Sequence, residues 1–348
     1  MRTDGLWNGA PTLLGIMHRL ARNIQQTHLA MYVRKEALLS AQIEGTQCTF
    51  DDILNSENTE LARRDVADVI NYIKATEYAV ERMNELPLCI RLLREVHTIL
   101  LSGVRGSEKN PGELRSTQNW IGPGGSTLKS AAYIPPNIED MNDSLRDLEK
   151  FINEADSVDP IIKASLVHYQ FETIHPFLDG NGCLGRLLIT LSLMNDHALS
   201  AAVFCPLYQL KLRRSDYYER LMAVRENGEY AKWVGFFCDC LLTSAEDAVG
   251  SLERLVNLHN ANTALINESL GRSATNGQRL LELLEGDLIV DVAFVVEKLD
   301  IARTTASNLV KGFVDMGILV QRKKEKQRYR TFPYEDYLSI LRQGSDPL

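Results

Sequence analysis

A mostly α-helical chain with one β-hairpin flap and a C-terminal winged helix-turn-helix is the fold the sequence predicts. Three observations carry it. Apolar residues recur at helical spacing from Pro11 to about Leu258, as in Val66, Val69, Ile70, Ile73 and Val80, and again in Ile162, Leu166 and Tyr169. One stretch, Asn110 to Pro136, breaks the period: Pro111-Gly112, Gly122-Pro123-Gly124-Gly125 and Pro135-Pro136 bound the β-prone pieces Asn119-Trp120-Ile121 and Ala132-Tyr133-Ile134. Beyond Gly277, helical patterns at Gly277 to Leu284, Val292 to Leu299 and Thr304 to Met316 precede two β-prone runs, Ile318-Leu319-Val320 and Tyr329-Arg330-Thr331-Phe332.

These patterns divide the chain into an N-terminal helical region over 1–90, a core over 91–258, a linker over 259–276 and a winged helix-turn-helix over 277–348. A linker or frayed helix is predicted there because Asn260 to Asn276 is poor in large apolar residues and holds Gly271, Ser273 and Asn276. With 348 residues, 45% of them hydrophobic, 22 Gly and 11 Pro, the chain is neither disordered nor collagen-like. No apolar run approaches the ~20 residues of a membrane span, and Met1 to Asn8 lacks the order of a secretory signal, so a cytoplasmic address is expected. The formal charge of −8 gives no global attraction to nucleic acid or anionic lipid. Six scattered cysteines, with only Cys238 and Cys240 close in sequence, match no zinc spacing and read as buried thiols. Nor is there a P-loop or a Rossmann fingerprint.

Chemical groups concentrate in Thr173-Ile174-His175-Pro176-Phe177-Leu178-Asp179-Gly180-Asn181-Gly182-Cys183-Leu184-Gly185-Arg186-Leu187-Leu188. Pro176 ends one helix, and a new apolar period starts at Leu184 with Leu187, Leu188 and Leu191, so the Asp-Gly-Asn-Gly piece is a tight loop entering a helix N-terminus. Free N–H groups there, with Gly180 and Gly182 admitting close approach, form a phosphate cradle to which the Asn181 side chain adds a donor. Arg186, one turn on, reaches a second phosphate as a forked cation. Asp179 suits Mg²⁺, which takes one or two carboxylates and fills its shell with phosphate oxygens and water. His175, with a near-neutral pKa, can accept a proton from an attacking hydroxyl.

In this order the segment resembles the signature of the Fic family, His-Pro-Phe-x-Asp/Glu-Gly-Asn-Gly-Arg-x-x-Arg, at every specified position except one. The family's first Arg, a phosphate cation, is Cys183 here. Losing one charge-assisted hydrogen bond costs on the order of 1.5–3 kcal/mol. A second match, Ser40-Ala41-Gln42-Ile43-Glu44-Gly45, resembles the Ser/Thr-x-x-x-Glu-Gly/Asn motif of N-terminally inhibited Fic proteins. At a helix end capped by Gly45, the Glu44 carboxylate meets the negative end of the dipole unless a cation answers it, and Arg186 is the expected partner.

The resemblance implies transfer of AMP from Mg²⁺-ATP to a Ser, Thr or Tyr hydroxyl of a protein, with His175 as base and with autoinhibition through Ser40 and Glu44. It also implies a flap in which Tyr133 and Ile134 dock the target by strand addition, and an adenine site beside Tyr217 and Tyr218. Two other functions fit the sequence: removal of AMP, with Glu44 aiming a water, and DNA-binding regulation by a degenerate nucleotide-sensing core. The latter draws on the predicted wing tip, Arg322-Lys323-Lys324-Glu325-Lys326-Gln327-Arg328-Tyr329-Arg330, with Arg303, Thr304, Thr305, Ser307, Asn308 and Lys311 on the preceding helix. Expected partners are a protein substrate, the chain itself as a target, a DNA or protein at the winged helix, and a second copy in a homodimer. No membrane partner is expected.

Overall fold

The computed structural model describes residues 15, 26–54, 60–122, 125–155, 157–199, 207–322 and 330–347. Helical periodicity in the sequence becomes helix almost throughout. α1 (Gln26–Ile43), α2 (Phe50–Leu54), α3 (Glu60–Arg82) and α4 (Ile90–Leu100) precede the irregular stretch. α5 (Ile138–Glu154), α6 (Pro160–Ile174), α7 (Asn181–Asn195), α8 (Leu207–Leu212), α9 (Arg214–Asn227) and α10 (Tyr230–Ser269) follow it. Pro160 sits at the first position of α6, where its missing N–H has no helical role, and the Asp159 side chain accepts from Ile161 and Ile162 N–H at 2.9 and 3.3 Å.

α6 and α7 pack on each other through the apolar faces that their sequence spacing marks, with Phe171, Ile174, Leu184, Leu187 and Leu188 fully buried. Trp233 on α10 closes this core, and its indole N–H donates to the Ser165 carbonyl at 3.0 Å. α1 packs against α3, α7, α8, α11 (Ala274–Gly286) and α14 (Glu335–Arg342). Gln42 Nε2 donates to the Cys48 and Ser345 carbonyls, each at 2.8 Å, and its Oε1 accepts from Lys211 Nζ at 2.6 Å. Asp51 on α2 pairs with Arg322 and Arg342, which also hold Glu335.

Three expectations change. The linker over 259–276 is helical: α10 runs unbroken to Ser269, a 3₁₀ turn covers Gly271–Ser273, and α11 follows directly. Buried Asn262 donates to the Tyr334 hydroxyl and Ile266 is fully buried, so polar packing made this stretch look like a linker. Among its described residues the flap is tied by one bridge, Ile121 to Tyr133, rather than by a ladder. In the C-terminal region α11, α12 (Val292–Leu299) and α13 (Arg303–Asp315) stand where helices were expected, but the strands differ. β1 (Ile289–Val290) lies between α11 and α12 and pairs antiparallel with β2 (Phe332–Pro333). Beside it the Val320 and Arg322 N–H groups donate to the Pro333 and Thr331 carbonyls at 3.0 and 3.1 Å. The wing tip over 323–329 lies outside the described residues.

A packed helix junction in place of a linker has a measurable consequence. A Cβ at Gly277 would come within 2.6 Å of Ile266 and 2.8 Å of Leu270, so Gly277→Ala is expected to lower stability by about 1–3 kcal/mol. Gly250, inside α10 with open space around it, should gain about 0.5–1 kcal/mol as Gly250→Ala. Equilibrium denaturation of the two variants checks both signs.

Candidate active site

The loop between α6 and α7 is built by its backbone. α6 ends on His175, whose left-handed φ of 49° turns the chain out of the helix, and α7 begins after Gly180 at φ 72°. Its peptide groups are fixed from distant elements. Arg115 Nε donates to the His175 carbonyl at 3.0 Å, and Asn119 Nδ2 donates to the carbonyls of His175 and Phe177 at 3.3 and 2.9 Å. His97 stacks on Phe177 with ring centroids 3.8 Å apart. Because the Gly112 N–H donates to His97 Nδ1 at 2.8 Å, the proton is on Nε2, which donates to the Asp179 carbonyl at 2.9 Å. Burial holds the His97 pKa below its ordinary value, favouring this neutral tautomer.

The first hydrogen bond of α7 runs from Leu184 N–H to the Gly180 carbonyl, and no side chain caps the helix. The N–H groups of Asn181, Gly182 and Cys183 therefore stay at the helix mouth. They face a cavity of about 410 Å³, whose lining includes Glu44, Glu172, His175, Asp179, Arg186 and Tyr218. Such a volume accommodates a small-molecule ligand. Glu44 already stands in the mouth. A Cβ on Gly182 would fall 2.2 Å from Glu44 Oε1, so the carboxylate lies on the glycine backbone where an anion binds.

Glu44 Oε1 accepts from Arg186 Nη2 at 2.6 Å, while Arg186 Nε donates to Ser40 Oγ at 3.1 Å and Nη2 to the Ser40 carbonyl at 3.3 Å. The guanidinium is 1% exposed and the Glu44 side chain 37%, so the cation is interior and the carboxylate borders the cavity. Burial alone would raise the Glu44 pKa, but the charge and hydrogen bond of Arg186 outweigh it and hold the carboxyl below the usual range. Cys183 Sγ lies 3.7 Å from Arg186 Nη2, and burial pushes its thiol up to about 11.

His175 borders the cavity with Nδ1 buried and without a hydrogen-bond partner, which leaves Nε2 as the nitrogen open to a substrate. Burial first, then the Arg225 charge, lowers its pKa to about 4; the neighbouring Glu172 carbonyl and Glu44 pull weakly the other way. At neutral pH the imidazole is therefore an unprotonated base. Asp179 is exposed at the cavity rim, with Oδ1 accepting from the Gly180 N–H at 2.8 Å. Among the described residues no three His, Cys, Asp or Glu side chains converge to cage a metal. One hard carboxylate beside a phosphate cradle still fits Mg²⁺, which draws its other ligands from phosphate oxygens and water.

Two expected ligands line the cavity with their side-chain polar groups engaged elsewhere. Asn181 is 2% exposed, and its carboxamide both accepts from the Phe177 N–H at 2.9 Å and donates to the Phe177 carbonyl at 2.8 Å, so the side chain braces the loop. Tyr217 is 1% exposed and donates its hydroxyl to His168 Nε2 at 2.9 Å, which makes it part of the core. Tyr218 is 40% exposed and offers its ring to the cavity. In the flap, Tyr133 is tied down, its hydroxyl donating to the Thr173 carbonyl at 3.1 Å and its ring lying under Arg225 at 4.0 Å, whereas Ile134 is 49% exposed.

The site also holds residues that no sequence spacing marked. Arg225 donates to Thr173 Oγ1 and to the Glu172 carbonyl at 3.2 and 3.0 Å. Glu172, buried with Oε1 unpartnered, is raised by burial to about 7. Asp68 on α3 and Arg105 after α4 complete one wall, where burial raises Asp68 to about 6 and the Arg105 charge opposes that rise.

The lowered His175 pKa gives a direct prediction. Its imidazole nitrogens, followed by NMR, should titrate near pH 4, so that the ring is neutral at pH 6; a midpoint near 6.5 contradicts the buried environment. The unfolded chain takes up this proton near 6.5, so the His175 contribution to stability is lost as pH falls from 6.5 towards 4.

The chain matches the Fic/DOC family over residues 87–193 and the Fic/DOC family N-terminal region over residues 7–81. Proteins named Protein adenylyltransferase Fic from Drosophila grimshawi and Drosophila melanogaster are each 30% identical to it over 197 residues, 56% of this chain. That alignment takes in 36% and 35% of their lengths, so the chain spans about a third of these curated relatives. A Fic family protein from Desulfovibrio desulfuricans aligns over 96% of this chain and 97% of its own with a TM-score of 0.62 at 18% identity. A Fic domain containing signaling protein from Bacteroides thetaiotaomicron aligns over 70% and 97% with a TM-score of 0.54 at 20% identity. At those identities the structural likeness is one of fold. The two sequence matches, with the helix-mouth geometry that the signature builds, lead to one conclusion: the chain belongs to the Fic/DOC family.

Proposed function

We propose that this protein transfers AMP from Mg²⁺-ATP to the hydroxyl of a protein Ser, Thr or Tyr, and that Glu44 holds it in check. The observation that carries the reading is the Glu44 carboxylate seated on Gly182 and paired with Arg186, in the helix mouth that His175 borders. An anion-binding site closed by the protein's own carboxylate, beside an unprotonated imidazole, supports a regulated transferase of a phosphate-bearing group. The relatives named Protein adenylyltransferase Fic support AMP as that group.

In this mechanism the N–H groups at the start of α7 hold the α- and β-phosphates against Gly180 and Gly182. Asp179 would hold Mg²⁺, whose charge would offset that of the phosphates. Arg186 takes the terminal phosphate when Glu44 withdraws. His175 Nε2 accepts the proton of the attacking hydroxyl as the new O–P bond forms, and the bond from the α-phosphorus to the bridging oxygen breaks to release pyrophosphate. Neutralisation and positioning supply most of the rate, as in phosphoryl transfer generally. Tyr218 stacks on the base, and the flap edge at Ile134 aligns the target segment, which the chain itself can also provide.

The C-terminal region is proposed as a winged helix that docks a further partner through the exposed Arg303, Thr304, Ser307, Asn308 and Lys311 of α13. Arg322 is engaged with Asp51 and Glu335, so it is not free for such contacts.

Incubation with ATP labelled at the α-phosphate tests the reading. Protein-bound label should be low in the natural sequence and rise about tenfold or more in Glu44→Gly. It should fall about 10²–10⁴-fold when His175→Ala is added, the range for loss of a general base. Absence of label from Glu44→Gly with every nucleoside triphosphate overturns it.

A further inference from the structure

The Fic signature places an arginine at the position that Cys183 occupies, so the phosphate cradle is one cation short. Three guanidiniums line the cavity, those of Arg105, Arg186 and Arg225. Two are spent. Arg186 is fixed by Ser40 and Glu44 and is assigned to the terminal phosphate. Arg225 is fixed on Thr173, on the Glu172 carbonyl and over the Tyr133 ring. Arg105 is exposed, and the charge it acts on at the cavity wall is the Asp68 carboxylate. Its backbone nonetheless belongs to the site, since a Cβ on the next residue, Gly106, would lie 2.9 Å from Asp179 Oδ2. The loop after α4 therefore packs directly on the carboxylate that begins the cradle, with Arg105 on the cavity wall one residue from that contact.

We propose that Arg105 is the phosphate cation that replaces the missing signature arginine, reaching the α- and β-phosphates from the loop after α4 rather than from α7. The inference rests on the nucleotide reading of the site. An arginine suits this position because its fork meets two phosphate oxygens at once and stays charged at any working pH. The move changes the chemistry of the wall as well. With a thiol at 183, the start of α7 carries no positive side chain of its own before Arg186, and the charge balancing the phosphates comes from a different element.

Affinity for ATP in the presence of Mg²⁺, measured by calorimetry in the Glu44→Gly background, separates this proposal from the reading beneath it. Adding Arg105→Ala, or Arg105→Gln where the alanine variant melts early, should weaken ATP binding about 10–100-fold, the range for one charge-assisted hydrogen bond. Adding Cys183→Arg to that double variant should restore the affinity to within about threefold of Glu44→Gly alone. Unchanged affinity on removing Arg105, or weakened affinity that Cys183→Arg does not restore, overturns the replacement while leaving the nucleotide site standing. Failure of Glu44→Gly itself to bind ATP overturns the nucleotide reading and this inference with it.

Discussion

A guanidinium 1% exposed to solvent has to be answered by an anion, and in this structure the answer comes from the end of another helix. Leaving a buried charge unpaired costs several kcal/mol, so the position of Arg186 dictates that something negative stand at the mouth of α7. Glu44 meets that need, and a phosphate meets it equally well. One electrostatic requirement thus links the closed arrangement to the proposed nucleotide-bound one. Ser40, in the last turn of α1, supplies the remaining hydrogen bonds through its hydroxyl and carbonyl, and Glu44 follows just past the helix end. Glu44 also reverses an awkward local situation. At the C-terminal end of α1 its charge opposes the helix dipole, while across the gap the N-terminal end of α7 welcomes it.

Because Glu44 sits at the end of α1, whatever holds that end bears on the cavity. Gln42, two residues before Glu44, contacts Ser345 near the C-terminus and the buried ammonium of Lys211, which also donates to the Gly344 carbonyl at 3.2 Å. Asp51 then ties α2 to Arg322 and Arg342. The reactive loop is fixed just as firmly, but through carbonyls: Arg115, Asn119 and His97 grip the peptide groups of His175, Phe177 and Asp179. The imidazole and the cradle are therefore set before any ligand arrives, which is the preorganisation that charge-stabilised transfer requires.

Much of this was legible in the residues. Pro176, the two glycines and the renewed period at Leu184 located the helix mouth, and the pairing of Glu44 with Arg186 followed from two short motifs 142 positions apart. What escaped notice acts through the backbone. Arg115, His97 and Arg225 hold carbonyls 53 to 82 residues distant, and such contacts leave no pattern in side-chain spacing. Asn181 and Tyr217 both line the cavity, as their spacing led one to expect, but spacing gave no hint that their side-chain hydrogen bonds are taken by Phe177 and His168. The linker reading failed because sparse apolar residues and the Gly271, Ser273 and Asn276 signals suggested a break, whereas α10 and α11 are joined partly by polar contacts such as His259 Nδ1 to Glu285 Oε1 at 2.7 Å. The wing strands shifted because β1 is only two residues long, too short for an alternating pattern to register.

Arg186 should exchange one anion for another when ATP binds. A crystal structure of the Glu44→Gly protein with a non-hydrolysable ATP analogue and Mg²⁺ should show a terminal phosphate oxygen within hydrogen-bond distance of the Arg186 guanidinium, with the phosphate chain against Gly182. A bound analogue whose phosphates lie away from the start of α7, with Arg186 still turned to Ser40 alone, would contradict it.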